Sequence, residues 1–170
     1  MGKVRCSVCG GMHDLSDVEL SYDRPDAYYA VPPTERTTRI VATSGLAVID
    51  HEAPGARYFV RAVIVIPIRG DPTRDGFGWG TWAEVDAEEF GRVVAAGDKA
   101  TRASEPPLVG SLANELPPFR QSLGLPARVR IQPPGRAPEM DIVDARHPLG
   151  AAQQQGVFHE DILEWLHLPQ

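Results

Sequence analysis

Apolar residues in this chain gather into short runs separated by turn-forming pairs. Leu46 to Asp50 is apolar and β-branched, and Pro54-Gly55 marks a turn after it. Arg57 to Ile68 follows, with Ala62-Val63-Ile64-Val65-Ile66 continuously apolar. Periodicity alone does not separate a buried strand from a buried helix here. The β-branched content and the flanking turn signals decide for strand. Gly70-Asp71-Pro72 turns the chain, and Phe77 to Val85 returns as a strand paired antiparallel with residues 57–68. Strand alternation then puts Trp79 and Glu84 on opposite faces, and Trp82 with Glu84. Ala127 to Gln132 alternates Arg128, Arg130 and Gln132 against Val129 and Ile131, and Glu139 to Asp144 alternates again through Met140 and Ile142. Leu108 to Leu116 fits a strand or a helix.

Helical spacing is rarer. Phe90, Val93 and Val94 follow Asp86-Ala-Glu-Glu89, a capping-box-like start in which Glu89 reaches back to the Asp86 amide. This predicts a helix over 86–97, stopped at Gly97. Two short helices, 148–155 and 159–167, close the chain. In the second, Ile162, Leu163, Trp165 and Leu166 form one broad apolar stripe that predicts docking on the sheet. Residues 15–45 read as irregular, with Pro25, Pro32 and Pro33 as breakers and one helical turn over Thr34 to Arg39. The expected architecture is α+β: a single domain over 1–170, with an antiparallel meander in 46–144 and helices covering one face. An N-terminal Cys-x-x-Cys knuckle occupies 1–14, and the C-terminal helices lie within 148–167.

Composition changes this picture little. The 170 residues are 42% hydrophobic and 24% charged, enough for one core without disulfides. The net charge of −6 argues against nucleic acid or an anionic membrane as partner and suits a basic protein partner, as in toxin-neutralising immunity proteins. Only Lys3 and Lys99 are lysines among the 17 basic residues, a compositional bias that makes arginine abundance a poor argument for phosphate binding. The longest apolar run, Ala62 to Ile68, is too short to span a bilayer. The N-terminus lacks a signal-peptide core, and the two cysteines lie three residues apart. Cytoplasmic residence is the expectation.

Candidate chemistry concentrates in Cys6-Ser7-Val8-Cys9-Gly10-Gly11-Met12-His13. Two thiolates at this spacing before a glycine pair suit one zinc ion, with His13 as third ligand. A closed structural site needs a fourth, from His51, His147, His159, His167 or a carboxylate. A redox dithiol and two free thiols in a turn are the other readings of the pair. His147 precedes Pro148, which favours the first helical position, so His147 is expected at the N-cap. Its ring there is a turn histidine, a ligand or a base. Gly76-Phe77-Gly78-Trp79-Gly80-Thr81-Trp82 leaves one sheet face bare and invites close packing, expected from a helix of this chain, without matching a nucleotide-binding pattern.

Taken together, Cys6-Ser-Val-Cys-Gly with His13, Ala27-Tyr28-Tyr29, Val48-Ile49-Asp50, Tyr58-Phe59-Val60-Arg61, Ile66-Pro67-Ile68, Phe77-Gly78-Trp79-Gly80-Thr81-Trp82 and His147-Pro148-Leu149 with Gln153 and Gly156 carry a resemblance. The chain resembles an uncharacterised bacterial family, the domain of unknown function twenty-one ninety-nine. The resemblance covers nearly the whole chain and implies one domain with no established activity. It makes His147 the preferred fourth zinc ligand, as the other histidine inside it. Two positions depart from the family's tendency: Arg146 and Ala152 stand where it places acids. The leading expectation is a non-catalytic protein- or ligand-binding module with a structural zinc site at Cys6, Cys9, His13 and His147. The alternatives are a metal-dependent or His-assisted hydrolase using His147 near Asp50 and Arg61, and a dithiol redox protein.

Overall fold

The computed structural model describes residues 20–70 and 76–166, together with the backbone of 3–5 and 12–14. A small hairpin opens the chain: β1 (Lys3–Arg5) and β2 (Met12–Asp14) pair antiparallel, with Val4 opposite His13. The knuckle expected there depends on Cys6 and Cys9, which lie outside the described residues.

The main sheet begins at β3 (Leu20–Ser21). Two short helices follow, α1 (Asp26–Ala30) and α2 (Arg36–Arg39), then β4 (Ile40–Ala42) and β5 (Leu46–Ile49). Next comes the long hairpin of β6 (Arg57–Ile66) and β7 (Phe77–Val85), antiparallel from Tyr58↔Val85 to Ile66↔Phe77 as the apolar pattern predicted. Helix α3 (Ala87–Ala96) intervenes before β8 (Leu108–Leu112), β9 (Pro126–Arg130) and β10 (Glu139–Ile142). Helices α4 (Pro148–Gln155) and α5 (His159–Trp165) complete the chain.

The expected meander is corrected in one respect. Strands β6 to β10 do pair in sequence order, but the ribbon closes on itself: β10 also pairs with β6, giving a five-stranded barrel. Strand parity explains the form of closure. Directions alternate along an antiparallel ribbon, so the first and fifth strands run the same way and can meet only in parallel. They do so at Glu139↔Val63, beside a Val63 N–H bond to the Pro138 carbonyl of 2.8 Å. Closure removes the free edges such a ribbon would otherwise present.

The barrel is filled by alternate side chains. Ala62, Ile64 and Ile66 of β6, Trp79 of β7, Val129 of β9 and Met140 of β10 are all buried. Helices do not cover one face only, as expected, because the long hairpin is buried on both sides. A second cluster of Val31, Ile49, Phe59 and Trp82 lies beneath Tyr22, Tyr28 and Ile40. The segment read as irregular from its prolines therefore supplies the cover for this second face.

Local capping follows the sequence with one change. The Asp86 carboxylate accepts the Glu89 N–H at 2.8 Å, as an N-cap should. The reciprocal bond expected from Glu89 is not made, since its carboxylate instead binds Arg92 and accepts the Val109 N–H at 3.2 Å. That ties α3 to β8. The bare strip at Gly80 is also filled differently. A Cβ at Gly80 would lie 2.7 Å from Ser21 Oγ, so the close neighbour is strand β3 rather than a helix.

Tyr22 gives a pH test of this cover. Its hydroxyl donates to the Glu115 carbonyl at 2.9 Å. Burial, then the charges of Asp26 and Glu115, push its pKa up to about 12. The folded chain thus holds the phenol proton where the unfolded chain has released it, and stability falls as pH rises from about 10 to about 12. Chemical denaturation of Tyr22→Phe should show a shallower loss than wild type across that window. Equal slopes would contradict the assignment.

Candidate functional site

The site follows from how β6 is shared. On the side away from β7, β5 covers Arg57–Val60 and β10 meets Val63. The two neighbours part between these points. The Gly45 carbonyl accepts the Arg61 N–H at 2.8 Å, and the Pro138 carbonyl accepts the Val63 N–H at 2.8 Å. These bonds fix two lips, and between them lie two cavities that both include Gly45, Arg61 and Pro138 in their walls. The first, of about 310 Å³, runs toward α3 past Val60, Val93 and Arg102. The second, of about 380 Å³, is walled by Ser21, Ser44 and Gly80.

Arg61 is the common charged residue. Its Nη2 donates to Ser21 Oγ at 2.5 Å, and no carboxylate among the described residues is ion-paired with it. The contrast with neighbouring arginines is sharp. Arg57 is held by Glu84, Arg39 by Asp50 and Glu35, and Arg130 by Asp141 and Glu139. Arg102 donates to the Gly97 carbonyl at 3.1 Å and stands 3.5 Å from Asp98, whose side chain is 97% exposed. Its Nε–H is buried without an acceptor among the described residues.

Asp50 and His147, named with Arg61 in the hydrolase alternative, do not join it at these cavities. Asp50 sits at a left-handed φ of 57° and receives a two-pronged bond from Arg39, which holds its carboxyl below the usual range. It thereby spends its charge on Arg39, while Arg61 turns to Ser21. His147 caps α4 as Pro148 predicted. Its Nδ1 accepts the Leu149 N–H at 3.2 Å, and its Nε2 faces the Arg120 carbonyl at 3.1 Å. An amide can only donate and a carbonyl only accept, so the ring is the neutral Nε2–H tautomer with both nitrogens engaged. Neither Asp50 nor His147 lines the cavities that Arg61 walls. Among the described residues no group of three or more His, Cys, Asp or Glu could hold a metal ion. Cys6 and Cys9 are outside them, and of His13 only the backbone is described. No helix among the described residues is long and apolar enough to cross a membrane.

Residues 5–157 match the model of a family described as "Uncharacterized protein conserved in bacteria (DUF2199)". The chain belongs to that family. No curated protein and no solved structure matches it. Several residues that carry the DUF2199 resemblance have structural work here. The Gln153 side chain mimics a strand, its Oε1 accepting the Ile142 N–H at 2.9 Å and its Nε2 donating to the Met140 carbonyl at 2.7 Å, so α4 is clamped to β10. Gly156 has a φ of 74°, and a Cβ there would lie 2.9 Å from the Pro67 carbonyl. Arg146 pairs with Asp144 and holds its carboxyl below the usual range. Ala152 packs against the core. Arg146 and Ala152 thus stand where a charge partner and a core contact are made. The sequence named Arg61 within the family resemblance and, in the hydrolase alternative, near His147 and Asp50; its pairing with Ser21 carried no local signal.

Proposed function

We propose that this DUF2199 chain is a non-catalytic ligand-binding module that recognises an anionic group at Arg61, with a structural zinc site in its N-terminal hairpin. The observation that carries the first part is the parting of β5 and β10 along β6. It leaves a guanidinium, free of described carboxylates, at the wall of two cavities beside the hydroxyls of Ser21 and Ser44. A guanidinium donates to a carboxylate or phosphate oxygen, a serine hydroxyl can do so as well, and an arginine fork suits such groups. An anion that binds only the folded state raises its melting temperature. Acetate or phosphate at high millimolar concentration, at constant ionic strength, should raise the wild-type midpoint and leave Arg61→Gln unmoved. Equal shifts in both proteins would contradict the seat.

The zinc reading rests on Cys6, Cys9 and His13. It is supported by the hairpin that flanks the cysteine pair, because β1 and β2 return the chain within the six residues between Arg5 and Met12. A structural zinc site takes four ligands, so Cys6, Cys9 and His13 would leave one to come from elsewhere. His147 would complete the set only by giving up a bond to Arg120 or Leu149. Elemental analysis of protein purified without chelator or histidine tag should find close to one zinc per chain, lost in Cys6→Ser. Well under one zinc, unchanged by that substitution, would remove the site.

A further inference from the structure

We propose that the Arg61 seat takes an amphipathic monoanion, a medium-chain carboxylate whose head meets Arg61 and whose tail lies along α3. This inference rests on the binding-module reading above and names the ligand class of that seat. The cavity toward α3 is walled by Leu46, Val60, Val93, Val94, Ile131 and Pro138, an apolar surface at the margin of the packed core, to which Val60 and Ile131 belong. Val94 remains 56% exposed on that wall. Its volume, about 310 Å³, lies at the small end of the range for small-molecule sites.

The charged groups at this wall are Arg61, Arg102 and Asp98. Asp98 projects into solvent 3.5 Å from Arg102, so among the described residues of this wall the balance is one net positive charge in a chain of net charge −6. A ligand bearing charge alone would leave the apolar wall in water. An uncharged alkyl chain would leave Arg61, and Ser21 and Ser44 of the adjoining cavity, without an anionic partner among the described residues. An alkyl carboxylate answers both. The Gly45 and Pro138 carbonyls are already committed to β6 amides, so the lips present little to repel its head. Burying several methylenes adds affinity in proportion to chain length.

Calorimetric titration of the full chain with octanoate, acetate and octanol tests this. Octanoate should bind at least about tenfold tighter than either of the others, since each lacks one half of the match. Arg61→Gln should weaken octanoate by about tenfold or more and leave octanol unchanged. Val94→Gln, at an exposed position that should not disturb folding, should weaken octanoate and leave acetate unchanged. Circular dichroism of each variant checks that it is folded. Octanoate no tighter than acetate, with the Arg61→Gln effect retained, would overturn the tail while the anion seat stands. Octanoate and acetate binding both unaffected by Arg61→Gln, or no heat from either, would overturn the tail and the seat together.

Discussion

Asn114→Ala is expected to lower stability by about 3 kcal/mol or more, a large share of what a domain of this size holds. Asn114 is the chain's single asparagine and is fully buried. Its Oδ1 accepts the Thr81 hydroxyl at 2.9 Å and the Trp82 N–H at 3.0 Å. Its Nδ2 donates to the Arg24 carbonyl at 3.0 Å and to Asp26 at 2.9 Å. Asp26 in turn accepts the Glu115 N–H at 2.8 Å. One side chain therefore joins β7 to the segment that covers its outer face, with every donor and acceptor used. Truncation leaves a backbone N–H and a carbonyl unpartnered in the interior, and each such loss costs about 1–3 kcal/mol. Urea unfolding measures the change. A loss below about 1 kcal/mol would mean that water or a rearranged backbone replaces the network.

Trp165→Ala is expected to cost about 3–5 kcal/mol, the range for removing a buried aromatic. Trp165 is the last residue of α5 and only 8% exposed. Its ring meets Phe77 at 6.1 Å, Trp79 at 5.7 Å and Phe119 at 5.1 Å between centroids. Ile162, one turn earlier, is fully buried in the same cluster. Helix α5 is too short to persist alone, so it exists because these side chains are held. Its start is fixed by Asp161, which accepts the Phe158 N–H at 2.8 Å. Trp165→Ala should lower the urea midpoint and speed amide exchange in Ile162–Trp165 beyond the rest of the chain. An unchanged midpoint would mean that the helix is not part of the cooperative core.

Much of this fold was legible where local chemistry decides it. The β-branched run of β6, the return of β7, the Asp86 cap, the Gly97 stop and His147 before Pro148 each depend on a few neighbouring residues, and each appears as predicted. Closure of the barrel was not legible. It depends on where β10 meets β6, and that register rests on Glu139 and Val63, which lie far apart in sequence. The second core was missed for a related reason: Tyr22, Tyr28 and Val31 show no periodicity among their prolines, and only the outer face of the hairpin gives them a common neighbour. At the site, the hydrolase alternative grouped Asp50, Arg61 and His147 on residue type alone. Each acts elsewhere because a nearer partner claims it: Arg39 for Asp50, Ser21 for Arg61, and the helix amide and Arg120 carbonyl for His147.

The central claim, an anion seat at the parting of β5 and β10, is tested most directly by the nitrogen–proton signal of the Arg61 side chain during titration with acetate. The account predicts a saturable shift at Arg61 Nε, accompanied by the amides of Gly45 and Ala62, while the salt-bridged Arg57 and Arg130 stay nearly fixed. Arginine signals that all drift together without saturation, Arg61 among them, would contradict it.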